Sequence, residues 1–271
     1  MSAEDRIRFK MNRCAFFYPA MVVVLLGSFG LAFVHADNGK DWKKQTLLVH
    51  RLGDQTAVKF PGGRDVLFQD ADPQLAIEWA MTKARNTVLL GGEYIVSDRI
   101  DVPRPGVTLI VDKAAVLKLN PDTEHTTIGF KARNPDYWAM LPMIYNKGHD
   151  NFRVLMFGTL VKSKWENKTN GKQTLPLMYD GRNERGDCGL KGGMMLVTGH
   201  ATDSFWLVDS SKVEVPLLAL DTAPGAALVL EGCEDCHLGM IASVAPEPGG
   251  KTAETIDLNS RSIDITIERL V

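Results

Sequence analysis

The 271-residue chain has few cysteines and no large excess of either charge. Its four cysteines are too few for a disulfide scaffold in a chain of this length. A net charge of −2 gives none of the basic excess by which proteins attract nucleic acid. The 24 glycines and 13 prolines exclude collagen-like and linker-dominated chains. Because 45% of the residues are apolar, we expect a globular protein with no nucleic-acid partner.

The first 36 residues have the features of a targeting segment. A basic start, including Arg6 and Arg13, precedes the stretch from Cys14 to Ala36, which contains no Lys, Arg, Asp or Glu. Small residues at Val34 and Ala36 fit a signal-peptidase site, so residues 1–36 are predicted to be a signal peptide. An uncleaved signal anchor is the alternative, and only then would the protein contact a membrane. Both interpretations export the rest of the chain, so we expect a secreted, periplasmic or cell-surface protein.

The cysteines beyond this segment include a CxxC pair, Cys233 and Cys236. A zinc site would need two more ligands, which His237 and Cys188 could supply. A redox motif of the thioredoxin type needs a helix start, whereas the flanking residues are typical of strands. A local disulfide or buried thiols in an exported protein fits the pattern better, and no metal site is predicted.

One helix and many short strands are predicted. Asp72 as N-cap and Pro73 at the first position predict a helix to Ala84. Its apolar face is expected to contain Leu75 and Trp79, together with Ala76, Ala80 and Ala84. Strands are predicted at 87–90, 93–96, 107–111, 116–119, 152–156, 194–197, 205–208, 213–215, 217–220, 226–230, 255–258 and 263–267.

The strand spacing favours an all-β protein with a repeated structure. No convincing helix separates the strands, which argues against a doubly wound α/β fold or a TIM barrel. An approximate period of 20 to 25 residues suggests a solenoid, whose coils are short strands joined by turns. A β-sandwich would also give short strands at regular spacing and is the alternative.

Five segments of the sequence carry a family resemblance. They are Leu89–Val96, Ile100–Pro103, Gly106–Ile110, Ala115–Leu119 and Asn151–Thr159. This series, following an amphipathic helix, resembles right-handed parallel β-helix proteins of the pectate lyase and polygalacturonase superfamily. The resemblance implies an N-terminal extension at 37–69 and a β-helix domain at 70–271, whose open end the helix caps. The coils that follow in the family are missing after Val271, so we expect an exposed last coil and a shortened protein.

The resemblance implies two catalytic candidates, Glu254 and Asp257. They fall at the two acidic positions of the Asn-Thr-Asp-Gly-x-Asp motif of polygalacturonases, in which carboxylates protonate the leaving group and activate water. Thr252, Ala253 and Thr255 stand where the motif has Asn, Thr and Gly, and the family's later motifs are absent. The alternative places both side chains on the polar face of a half-solvated strand. A lyase of the same fold would use Ca²⁺ and a basic residue, for which Asp257, Asp264 and Arg261 are candidates.

A second group of candidates lies in the polar segment Lys162–Gly193, which is predicted to be an elaborated turn forming one wall of a groove. Three cations and two aromatic residues there are candidate substrate contacts: Arg182, Arg185, Lys191, Trp165 and Tyr179. Guanidinium and ammonium groups would bind acidic sugars, and the aromatic rings would stack on them. A solvated loop held together by its own ion pairs is the alternative.

Together these patterns predict an exported β-helix that acts on an acidic polysaccharide. The leading hypothesis is a polygalacturonase-like glycoside hydrolase without a cofactor, either active or shortened to an inactive form. A polysaccharide lyase, the only version that would need calcium, and a non-catalytic carbohydrate-binding or structural solenoid are the alternatives.

Overall fold

The computed structural model describes residues 45–131, 137–161, 172–183, 185, 187–201, 205–220, 227–243, 256–258 and 262–270. The predicted targeting segment at 1–36 and the candidates Trp165 and Glu254 lie outside these residues. Among the described residues no helix combines the length and apolarity needed to cross a membrane.

The described part of the chain contains one α-helix and 21 β-strands. The helix, α1, spans Pro73–Lys83. The strands are β1 (Thr46–Leu52), β2 (Gln55–Lys59), β3 (Phe68–Asp70), β4 (Asn86–Leu89), β5 (Gly92–Val96), β6 (Ile100–Asp101), β7 (Thr108–Val111), β8 (Ala115–Leu119), β9 (Ile128–Lys131), β10 (Tyr137–Lys147), β11 (Phe152–Met156), β12 (Thr159–Val161), β13 (Lys172–Asp180), β14 (Leu190–Val197), β15 (His200–Ala201), β16 (Phe205–Val208), β17 (Ser210–Leu220), β18 (Leu228–Glu231), β19 (His237–Ser243), β20 (Ile256–Leu258) and β21 (Thr266–Leu270). The prediction of an all-β protein with a single early helix is confirmed for these residues.

These strands form three sheets, of ten, seven and four strands. The ten-stranded sheet has the order β21-β19-β17-β14-β11-β7-β4-β1-β2-β3. The seven-stranded sheet has the order β20-β18-β16-β13-β10-β6, with β9 also paired to β10, and the four-stranded sheet is β15-β12-β8-β5. Pairing is parallel except for β1–β2, β2–β3 and β9–β10. Parallel pairing separates this architecture from the β-sandwich, whose sheets are antiparallel.

Helix α1 begins where the sequence predicts, but its buried face differs from the predicted one. Asp72 accepts a hydrogen bond from the Gln74 backbone N–H at 2.9 Å, as an N-cap does. The expectation that Leu75 is buried is wrong, because its side chain is 47% exposed. The buried face runs instead through Ala76, Ile77, Ala80 and Met81. At 100° per residue, Leu75 lies on the opposite side of the helix from this face.

The main hydrophobic core lies between the sheets and under α1. It takes alternate residues of the strands, for example Tyr94 and Val96 of β5, which are fully buried. A second, smaller cluster lies on the other face of the seven-stranded sheet. Ile144 belongs to the main core, whereas its neighbour Tyr145 packs in the second cluster with Met178. The sheet is therefore covered on both faces at this position.

The strand predictions succeed in most places and fail in the polar segment Lys162–Gly193. The segment is not one long turn, because β13 and the start of β14 lie within it and pair with neighbouring strands. Further unpredicted strands include β10 and β19. Two strands, β1 and β2, precede residue 70, β3 ends at it, and β1 pairs in parallel with β4. The division into an extension and a domain at residue 70 stays a prediction.

Two glycines stack closely where the chain passes from the ten-stranded to the four-stranded sheet. A Cβ atom at Gly199 would lie 1.8 Å from the carbonyl oxygen of Gly158. We therefore expect Gly199→Ala to lower the free energy of unfolding by about 3 kcal/mol, since backbone must move to admit the methyl group. Urea unfolding monitored by circular dichroism measures this loss.

The matched control is Gly62→Ala. Nothing lies within 4 Å of a Cβ at Gly62, but its φ of +72° makes alanine unfavourable by about 1 kcal/mol. Equal losses in the two variants would contradict the proposed steric contact between Gly158 and Gly199.

Candidate functional site

A cleft of about 570 Å³ opens where two turns between the seven-stranded and ten-stranded sheets meet. One turn joins β10 to β11, and the other joins β13 to β14. The lining residues are polar or small: Asp150, Asn183, Arg185, Asp187, Cys188, Gly189 and Lys191. Because both turns leave the ends of neighbouring parallel strands, the fold brings together residues that are far apart in sequence.

Hydrogen bonds fix the two turns of this cleft. The backbone N–H of Gly189 donates to the Gly181 carbonyl at 3.0 Å and closes the second turn. Within that turn, the Asn183 amide donates to Asp187 at 2.7 Å. The backbone N–H of Lys191 donates to the Asp150 carboxylate at 2.7 Å and joins the second turn to the first. Asn183, Gly189 and Lys191 are therefore each held by a hydrogen bond beside the cleft.

The charged side chains of the cleft carry both signs. Arg185 and Lys191 are exposed cations, Asp187 is an exposed carboxylate, and Asp150 is a half-buried one. Guanidinium and ammonium groups donate hydrogen bonds to carboxylates and sulfates. Carboxylate oxygens accept hydrogen bonds from hydroxyl groups. An elongated ligand with both hydroxyl and acidic groups would find partners for each.

Of the three cations predicted to contact substrate, Arg185 and Lys191 line the cleft, whereas Arg182 does not. Its guanidinium makes a two-point contact with Asp180, at 2.8 Å and 2.6 Å, and donates to the Gly129 carbonyl at 3.0 Å. Tyr145 donates its hydroxyl to the same carboxylate at 2.8 Å. Burial opposes ionisation of Asp180, yet these hydrogen bonds and the charge of Arg182 hold its pKa below the usual value. Arg182 thus holds strand ends together and is not among the cleft residues.

The structure corrects the assignment of Tyr179 as a sugar-stacking residue. Its side chain is fully buried, and its ring packs 5.5 Å from that of Phe152. Its hydroxyl lies 3.0 Å and 3.1 Å from the carbonyl oxygens of Phe152 and Met194. Burial raises its pKa. A ring enclosed on both faces by the core has no surface on which a sugar could stack.

The catalytic candidate Asp257 lies apart from the cleft. It sits on β20, where it pairs with Val229 of β18. Strands β18 and β16 separate β20 from β13, and three spacings of about 4.8 Å put it roughly 14 Å from β13. Its intended partner Glu254 is outside the described residues. Within the described chain, no group of three or more His, Cys, Asp or Glu side chains is arranged to hold a metal ion.

No family model, curated protein or solved structure matches this chain. The resemblance to the pectate lyase and polygalacturonase superfamily therefore stays a prediction from the sequence.

Sequence reasoning selected Arg185 and Lys191 but missed four polar lining residues, Asp150, Asn183, Asp187 and Cys188. The stretch from Asp180 to Gly193 is dense in charge and glycine, and this signal could have included Asn183 and Asp187. Asp150 precedes these residues by more than 30 positions. Only the parallel pairing of β10 with β13 and of β11 with β14 brings it to them.

Proposed function

We propose that the protein is a right-handed parallel β-helix that binds an acidic polysaccharide in the cleft lined by Arg185 and Lys191. The order in which the chain visits the sheets supports the fold. Four successive circuits each place one strand in the ten-, four- and seven-stranded sheets: β4-β5-β6, β7-β8-β10, β11-β12-β13 and β14-β15-β16. Parallel crossover connections are right-handed in almost all proteins, which gives the proposed hand.

A repeated backbone conformation supports the same fold. The residue at one register position, where the chain enters the ten-stranded sheet, has a positive φ in six successive circuits. Four of these residues precede their strands, and Gly192 and Lys212 lie near the starts of β14 and β17. These residues and their φ values are Gly106 (72°), Asn151 (57°), Gly192 (71°), Lys212 (57°), Asp235 (53°) and Asp264 (51°). The pairing of the following strands aligns them. Each circuit therefore turns this corner in the same way, as coils of a solenoid do.

The cleft is the observation that supports polysaccharide binding. It is open, and it combines cationic side chains with hydrogen-bond acceptors. Polysaccharides that carry carboxylates or sulfates offer the complementary groups. The predicted targeting segment at 1–36 would bring the protein to such polymers outside the cell.

The variant Arg185→Ala/Lys191→Ala tests this proposal. We expect it to bind an acidic polysaccharide at least about tenfold more weakly than the wild type, because charge-assisted hydrogen bonds are lost. Isothermal titration calorimetry measures binding to polygalacturonate, alginate and a sulfated glycan, with a neutral glucan for comparison. The affinity of the wild type should also fall as salt is added.

The matched control removes one Arg and one Lys elsewhere. Arg85 and Lys113 are exposed and lie outside the cleft, so Arg85→Ala/Lys113→Ala has the same net charge as the test variant. We expect its affinity to stay within twofold of the wild type. Equal weakening of both variants would show unspecific charge attraction, and a wild type that binds none of the glycans would refute the proposal.

Hydrolysis is a second candidate function, because the carboxylates of Asp150 and Asp187 line the same cleft. Glycosidases use two carboxyl groups, one to protonate the leaving group and one to attack or to activate water. The assay incubates the wild type and the Asp150→Asn and Asp187→Asn variants with the same glycans. New reducing ends that disappear in both variants support hydrolysis. Ultraviolet absorbance from unsaturated ends would indicate a lyase, and no product would leave binding alone.

A further inference from the structure

A pair of thiols lies beneath the corner at which the positive-φ residues align. Cys233 and Cys236 flank the turn between β18 and β19, and both side chains are buried, with 0% and 1% exposure. The Cys233 sulfur lies 3.3 Å from the Leu207 carbonyl oxygen, and the Cys236 sulfur lies 3.8 Å from that of Ser210. Both side chains thus enter the same part of the core from the two ends of a four-residue turn.

The backbone of this turn is held from both sides. The N–H of Glu234 donates to the Ser210 carbonyl in the preceding circuit at 3.0 Å. In the following circuit, the N–H of Ile263 donates to the Cys233 carbonyl at 2.8 Å. Between the cysteines, Asp235 takes the left-handed conformation with a φ of 53°. These contacts fix the backbone that carries the two thiols.

The two thiols also interact with each other. A hydrogen bond from the Cys233 thiol lowers the pKa of Cys236. The same hydrogen bond and burial raise the pKa of Cys233. The third described cysteine, Cys188, differs because it is partly exposed in the cleft, where its thiol donates to the Gly232 carbonyl at 3.3 Å.

We propose that Cys233 and Cys236 form a disulfide across this turn, a modification site that fixes the corner between β18 and β19. The oxidant is a disulfide of the glutathione type. One cysteine thiolate attacks it, forms a mixed disulfide and releases one thiol. The second thiolate then attacks the mixed disulfide, forms the Cys233–Cys236 bond and releases a second thiol. Two electrons and two protons thereby pass from the cysteine pair to the reduced oxidant. Because both sulfurs are buried in the folded state, this exchange occurs before the corner closes during folding.

Mass spectrometry tests the assignment. The full chain is unfolded and refolded in glutathione buffers of increasing oxidised fraction, starting from both the reduced and the oxidised state. It is then acid-quenched, unfolded, alkylated with N-ethylmaleimide and digested with trypsin. Cleavage after Lys212 and Lys251 leaves Cys233 and Cys236 in one peptide, whereas Cys188 lies in the peptide 186–191. We expect the first peptide to be about 2 Da lighter than its reduced form and unalkylated, as loss of two hydrogens requires. The Cys188 peptide should be alkylated or carry glutathione.

The same titration in concentrated guanidinium chloride measures disulfide formation in the unfolded chain. There, only the CxxC spacing brings the two thiols together. We expect the effective concentration of the two thiols to be at least tenfold higher in the folded protein. By linkage, the disulfide would then stabilise the fold by about 1.4 kcal/mol. An equal or lower value in the folded protein would overturn the proposal, as would a disulfide between Cys188 and either cysteine.

Two variants complete the design. Cys188→Ser should leave formation of the lighter peptide unchanged. Cys236→Ser should abolish it and leave Cys233 open to alkylation once the chain is unfolded. Reduced cysteines in both the wild type and Cys188→Ser throughout the oxidised buffers would also refute the assignment.

Discussion

Replacing Asp180 by alanine is expected to lower the free energy of unfolding by about 3 kcal/mol, because it breaks a buried ion pair at one partner. The Asp180 side chain is only 4% exposed and meets Arg182 in a two-point contact. It also accepts the hydroxyl hydrogen of Tyr145, whose side chain lies in the second hydrophobic cluster. The variant would remove the carboxylate that meets the partly buried guanidinium in two hydrogen bonds and would leave a buried hydroxyl without its acceptor.

The contribution of Asp180 should depend on pH in a defined direction. Its pKa is lowered in the folded protein, so the folded state binds the proton less readily than the unfolded state. The stabilisation is therefore complete above the pKa of an unfolded aspartate, about 3.9, and is lost as the pH falls through the lower folded-state pKa. Urea unfolding at a series of pH values should show the wild type approaching Asp180→Ala at acidic pH.

The control for this prediction is Glu93→Ala. Glu93 forms an ion pair with Lys118, but its side chain is 50% exposed, and such surface pairs contribute about 0.5 kcal/mol. A loss in Asp180→Ala no larger than that of Glu93→Ala at neutral pH would contradict the structural role of the carboxylate. So would a difference from the wild type that stays constant down to the lowest pH.

The sequence predicts local features well where a single residue type has one common use. Asp72 followed by Pro73 sets the start of α1, and short β-rich runs such as Phe152–Met156 and Phe205–Val208 are strands with the predicted bounds. The buried face of α1 is harder to predict, because Leu75 and Ile77 are both apolar and only packing in the fold decides which of them is buried.

The unpredicted strands have a physical explanation in proline and in pairing. Pro142 lies within β10 and Pro176 within β13, and a proline in a run argues against a strand because it lacks a backbone donor. These strands form because partners lie on both sides, β6 and β13 for β10, and β10 and β16 for β13. These partner strands are distant in sequence, so no local sequence pattern predicts the pairing.

At the candidate site, too, local sequence patterns predict some residues, whereas others depend on strand pairing. Charge density identified Arg185 and Lys191, which share the cleft, and also Arg182, which pairs with Asp180 instead. The side chain of Arg182 could not be assigned from sequence, because its partner becomes buried only when β13 pairs with β10. Asp150 joins the cleft through the same pairing.

Tyr179 is the position at which the second large effect is expected. We expect Tyr179→Ala to lower the free energy of unfolding by about 4 kcal/mol, since it removes a fully buried ring and leaves a cavity beside Phe152. A Cβ at Gly193 would lie 3.0 Å from the Tyr179 ring, so the absence of a side chain at Gly193 makes room for that ring. The loss is read from urea unfolding at neutral pH.

The control, Tyr179→Phe, separates the ring from its hydroxyl. It keeps the packing and loses the hydrogen bond to the carbonyl oxygens of Phe152 and Met194, so we expect a loss of about 1 kcal/mol. Because the ring faces the core, polysaccharide affinity should be the same in Tyr179→Phe as in the wild type. An affinity that falls while stability is unchanged would place the phenol at a binding surface and contradict its burial. Similar small losses in both variants would show that the ring does not fill the core between β13 and β11.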